Sequence, residues 1–157
     1  AYLDHTIISR GYKRNNRDTI LVSNQKEILT SVENSGDEPF LLANNLPGIP
    51  VIVGNKVEAL KISYEKFSNK ISLIDDGFQS RQILKDLNIL LIDTSSKISD
   101  FQLLPVGLLR EPTSGAKNAD IIIFTKNNFN SKNAKHYRLK QHSLPNKKRY
   151  CKNGTRQ

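Results

Sequence analysis

The sequence predicts an α/β fold with a mostly parallel sheet flanked by helices. Short apolar runs rich in β-branched residues recur through residues 1–125. Segments with helical start signals or helical spacing lie between them, and several runs end abruptly in acids or glycine. Strands that deliver polar groups to the C-terminal edge of a sheet have that pattern, and ligands bind at that edge in open α/β sheets.

The elements follow in order. His5–Ser9 reads as a strand, Arg10–Arg14 as the loop leaving it, and Thr19–Ser23 as a second short strand before the polar stretch Asn24–Gly36. Asp37-Glu38-Pro39 puts an acid at a cap and a proline in a first turn, which starts a helix through Phe40–Ala43 that Pro47-Gly48 stops. Ile49–Val53 is a third strand, and Val57–Phe67, apolar at 57, 60 and 64, is an amphipathic helix. A buried strand, Ile71–Ile74, precedes a helix over Phe78–Leu84, and Asn88–Asp93 and Asp120–Phe124 are further buried strands. Prolines and a glycine make Leu103–Pro112 irregular.

The net charge of +9 invites a nucleic-acid reading, so its location matters. Ten of the 24 basic residues and none of the 15 acidic ones lie between Lys126 and Gln157, which leaves residues 1–125 close to neutral. That division gives a partial α/β domain over 1–125 and a basic tail over 126–157, whose polar composition suits a disordered or frame-shifted segment. One cysteine and three scattered histidines make no metal-ligand cluster.

Chemistry concentrates at Ile71-Ser72-Leu73-Ile74-Asp75-Asp76-Gly77-Phe78-Gln79. Two adjacent carboxylates at a strand end suit Mg²⁺, which takes oxygen ligands and is commonly held by one or two carboxylates together with substrate phosphates. The plainer alternative is that Asp75 or Asp76 caps a following helix.

Taken in order, Ser9-Arg10-Gly11-Tyr12, Gly36-Asp37-Glu38-Pro39, Pro50-Val51-Ile52-Val53-Gly54, Asp75-Asp76-Gly77-Phe78-Gln79 and Leu103-Leu104-Pro105 through Leu109-Arg110-Glu111-Pro112 resemble the tetraacyldisaccharide 4'-kinases. These are the lipid A 4'-kinases of Gram-negative bacteria, and the resemblance covers residues 5–125. It implies a P-loop NTPase-like fold, here incomplete. It also implies transfer of the ATP γ-phosphate to the 4'-hydroxyl of a tetraacyldisaccharide 1-phosphate, giving lipid IVA, with ATP and Mg²⁺ as cofactors.

By the same resemblance Asp75 and Asp76 form the metal-nucleotide pair, and Asp37 is the acid that takes the sugar hydroxyl's proton, with Glu38 beside it. Taken without the family, Asp37 reads as an N-cap. Arg10, Tyr12, Lys56, Gln79, Arg110 and Glu111 would line the nucleotide, phosphate or substrate. Lys56 stands where the family usually has arginine, and lysine lacks the bidentate fork. Ser80 replaces the usual histidine and Leu108 the usual proline; Asp93, at another strand end, reads equally as a turn residue. The family's membrane-associating helix implies work at the cytoplasmic face of the inner membrane.

No two glycines have the five-residue spacing of a Walker A loop. The expectation is an internal piece of such an enzyme, inactive alone. The alternatives are a nucleic-acid-binding module using the basic tail, a different Mg²⁺-dependent phosphotransferase, or a nonfunctional remnant.

Overall fold

The computed structural model describes residues 4–15, 17–93, 106, 113–126, 149–152 and 155–156. The chain divides into two compact units, Ala1–Ile83 and Leu84–Gln157, a boundary well before the compositional one at 125/126.

In the first unit β1 (His5–Ser9), β2 (Ile20–Ser23), β3 (Val51–Val53) and β4 (Ile71–Ile74) form one sheet in the order β2-β3-β1-β4. β1 runs parallel to both neighbours, pairing Ile7 with Val51 and Leu73 and Ile8 with Ile52 and Ile74. β2 is antiparallel to β3. The strand alternation sorts the core onto two faces. Ile7, Val22, Val51 and Val53 pack with Leu42 and Ala43 of α2 (Asp37–Asn45) and with Leu46 just after it on one face. Ile8 and Ile52 pack with Ala59, Leu60, Ile62 and Phe67 of α3 (Lys56–Phe67) on the other. Ile8 and Ile52 are fully buried, worth about 1.5–3 kcal/mol each. Helices therefore cover both faces, as expected.

Several local expectations change. β3 starts at Val51 because Pro50 has no N–H to give; its carbonyl instead accepts from the Ile7 N–H at 2.9 Å. The buried face of α3 is centred on Ala59 and Ser63, whereas Val57 and Tyr64 of the expected apolar stripe are exposed. β4 was expected to be buried, yet it sits at the sheet edge and leaves Leu73 49% exposed. No helix forms over Phe78–Leu84. Bonds from the Ser80 N–H to the Gly77 carbonyl and from the Ile83 N–H to the Ser80 carbonyl make turns instead. A one-turn helix, Val32–Ser35, which we number α1, lies within the polar stretch.

In the second unit β5 (Ile89–Asp93), β6 (Ile121–Thr125), β7 (Arg149–Lys152) and β8 (Thr155–Arg156) form a sheet in chain order. β5, β6 and β7 are parallel, and β8 returns antiparallel. β7 and β8 come from the basic segment. Ile122 is buried, but Ile89 and Leu91 are exposed, so β5 is a half-covered edge strand rather than the buried one expected. A 3₁₀ helix spans Thr113–Asn118.

Candidate functional site

Because β1, β3 and β4 are parallel, their C-terminal ends share one edge of the first sheet. Ser9 and Arg10, Gly54 to Lys56, and Asp75 and Asp76 meet that edge directly after their strands.

Asp75 prolongs the β1–β4 ladder. Its N–H donates to the Ile8 carbonyl at 2.8 Å, and its Oδ2 accepts from Ser9 Oγ at 3.1 Å. Ser9 is 2% exposed, so a buried hydroxyl holds an exposed carboxylate by one oxygen. Asp76 has left the ladder and adopts a left-handed φ of 47°, a conformation aspartate tolerates better than most residues. Its carbonyl accepts from Lys56 Nζ, which also reaches Ser80 Oγ at 3.4 Å. The two acids are exposed and held by different devices.

Lys56 is the first residue of α3, and its base is rigid. Asn55 Oδ1 caps the helix by accepting from the Val57 and Glu58 N–H groups at 3.0 and 3.2 Å. The Asn55 N–H donates to Thr19 Oγ1 at 3.0 Å, and the Gly54 N–H to the Ser9 carbonyl at 3.0 Å.

Arg10 and Tyr12 leave β1 toward α2, and both are exposed. A Cβ on Gly11 would stand 2.4 Å from Val53 Cγ2 and 2.8 Å from the Ser35 carbonyl, and one on Gly36 would stand 3.0 Å from the Tyr12 carbonyl. Only glycines allow the Arg10–Arg14 loop to lie this closely on the start of α2. Arg14 ties off the loop by donating to the Asp18 and Arg17 carbonyls at 2.6 and 2.9 Å. Partial burial lowers its guanidinium from the ordinary value, opposed by Asp18.

Asp37 is not an N-cap. Gly36 occupies that position without a side-chain bond, and Asp37 and Glu38 are exposed in the first turn. The loop contact thus brings the GDEP segment against the loop that follows β1. Gln79 is exposed in the turn beyond Gly77. Arg110, Glu111 and Leu108 lie outside the described residues. Asp93 belongs to the second unit, where it pairs with Lys126 at 2.7 Å.

Sequence reasoning assigned no site role to Ser9 or Asn55. A serine closing a strand just before the Arg10 loop was the available signal for the first, and an asparagine one residue before a helix for the second.

The family profile for Tetraacyldisaccharide-1-P 4'-kinase matches residues 2–156. Among curated proteins, the Tetraacyldisaccharide 4'-kinase of Pelobacter propionicus is 38% identical over 122 residues, 76% of this chain and 34% of the relative. That of Aquifex aeolicus is 40% identical over 120 residues, 76% of this chain and 38% of the relative. The crystal structure of the "apo" form of LpxK from Aquifex aeolicus in complex with ATP superimposes with a TM-score of 0.73 at 38% identity, covering 79% of this chain and 39% of that one. The chain therefore spans little more than a third of the length of the relatives it matches.

Proposed function

The chain belongs to the tetraacyldisaccharide-1-P 4'-kinase family, and from that premise we propose that it forms part of a kinase transferring the ATP γ-phosphate to the 4'-hydroxyl of a tetraacyldisaccharide 1-phosphate. The observation that carries the reading is the pair Asp75 and Asp76 presented beside Lys56 at the C-terminal edge of a parallel sheet.

The donor set fits Mg²⁺. Two carboxylates stand at the edge, and the described residues hold no group of three His, Cys, Asp or Glu that could cage a metal. A metal that keeps waters and shares its coordination with nucleotide phosphates needs no such cage. When bound, Mg²⁺ would neutralise charge developing on the phosphate oxygens. In this reading Asp37 accepts the proton of the 4'-hydroxyl, Glu38 flanks it, and Arg10, Tyr12, Lys56 and Gln79 line the nucleotide or sugar. Arg110 and Glu111 join them by resemblance alone. Asp37 suits a base: it is exposed in the first turn of α2, and Gly36, not Asp37, holds the cap position. The complete protein would work on a lipid at the cytoplasmic face of the inner membrane. Among the described residues no helix is long and apolar enough to cross a membrane.

The test is ATP-dependent 4'-phosphorylation by the complete protein and its Asp37→Asn variant. Removing a general base should lower the rate by about a hundredfold or more with thermal unfolding little changed. A variant that keeps its rate would overturn the assignment of Asp37, and a complete protein inert toward the disaccharide would overturn the reading as a whole.

A further inference from the structure

The strand order makes one contact at this edge unusual. β3 and β4 are not neighbours, because β1 lies between them. Lys56 starts the helix that follows β3, yet its ammonium donates to the Asp76 carbonyl and to Ser80 Oγ in the turn that follows β4. The side chain therefore crosses the end of β1, a span of two strand spacings, roughly 10 Å between backbones. Its base is fixed by the Asn55 cap, by Thr19 and by the bond from Gly54 to Ser9.

Its target is the part of the turn the sheet does not hold. The β1–β4 ladder ends with the Asp75 N–H on the Ile8 carbonyl. One residue later Asp76 is left-handed, with φ 47°, and further on the Ser80 N–H donates to the Gly77 carbonyl at 3.0 Å. A cation on the Asp76 carbonyl and the Ser80 hydroxyl ties two points of this turn together from outside the sheet. It engages a backbone oxygen, so it acts on the path of the chain at an exposed residue. A bond from a charged donor is also stronger than one between neutral groups.

We propose that Lys56 is a positioning residue that clamps the Asp75–Ser80 turn and so sets where the two carboxylates stand, a role beyond the lining one given to it above. The inference rests on the kinase reading of the same edge.

The test is amide hydrogen exchange on this chain, comparing Lys56→Met, which keeps the aliphatic stem, with Lys56→Arg, which keeps the cation. Methionine should speed exchange of the Ser80 amide roughly tenfold, the scale of losing a charged hydrogen bond. The Ile52 amide in the core should not change, and arginine should restore the wild-type rate. Ser80→Ala removes one acceptor and should give a smaller acceleration at Asp75 and Gly77; it decides the matter if the methionine variant does not fold. An unchanged Ser80 amide in a folded Lys56→Met protein would overturn the clamp, as would arginine failing to rescue it. Adding Mn²⁺ to the wild-type chain separates the two ideas: failure to broaden the Asp75 and Asp76 amide signals counts against the metal reading, while the exchange rates still decide the role of Lys56.

Discussion

Ser9 Oγ donates to Asp75 Oδ2 at 3.1 Å, although Ser9 ends β1, Asp75 follows β4 and the two lie 66 positions apart. The hydroxyl is buried and the carboxylate exposed, so the bond fixes one oxygen and leaves the other toward solvent. Two features place them together. The parallel register pairs Ile8 with Ile74, and the next backbone bond carries Asp75 alongside the end of β1. A metal ligand held by a buried donor is already oriented before the ion arrives.

Ser9→Ala should therefore weaken Mn²⁺ binding roughly tenfold, the usual scale for losing a group that orients a ligand. The accompanying loss of stability should be about 1 kcal/mol. Spin resonance of free Mn²⁺ and urea unfolding measure the two effects. Equal Mn²⁺ affinity in the two proteins would show that the bond does not prepare Asp75 for a metal.

Gly11 and Gly48 both have positive φ, 70° and 87°, but they differ in surroundings. A methyl group at Gly48 meets nothing within 4 Å, whereas at Gly11 it meets Val53 Cγ2 and the Ser35 carbonyl. Gly48→Ala should cost about 1 kcal/mol, the price of a left-handed backbone alone. Gly11→Ala should cost roughly 2–4 kcal/mol, because overpacking adds to it, and should displace the loop carrying Arg10 and Tyr12. Urea unfolding of the pair checks the ranking; equal losses would mean the loop does not lie closely on Val53 and Ser35.

The strands were legible because their signal is local. Runs such as His5–Ser9 and Ile121–Thr125 carry their β-branched residues within a few positions, and alternation along β1 sends Ile7 and Ile8 to opposite faces. The motif acids were legible too, as residues that follow strands. What escaped depends on partners distant in sequence. The exposure of Leu73 follows from β4 being at the edge, which its own residues do not encode. The face of α3 is chosen by Ile8 and Ile52 beneath it, so Ala59 and Ser63 point inward and Tyr64 outward. Lys56 could be assigned from its own position only as a cation near phosphate. Its contact with the Asp76 turn needs the order β3-β1-β4, and the role of Ser9 needs the register of β1 on β4.

Acid pH should loosen the approach to Asp37 through Glu33. This carboxylate is held below its ordinary value of 4.5, first by a hydrogen bond from the Ser31 side chain and second by its own backbone N–H, both of which favour the charged form. A group whose value is depressed on folding stabilises the fold fully above its unfolded value, and that contribution is lost as pH falls through the folded one. The consequence is local. Glu33 lies in α1, its carbonyl accepts the Asn15 N–H at 2.9 Å, and α1 ends on the Gly36 N–H, which donates to Val32 at 2.7 Å. Exchange protection at Asn15 and Gly36, corrected for intrinsic rates, should hold at neutral pH and fall below the ordinary carboxylate range while Ile52 stays protected. Glu33→Gln should remove the pH dependence and leave protection at the low-pH level throughout. If the dependence persists in that variant, another carboxylate controls the segment, and Asp37 and Glu38, next in the chain, become the groups to replace in turn.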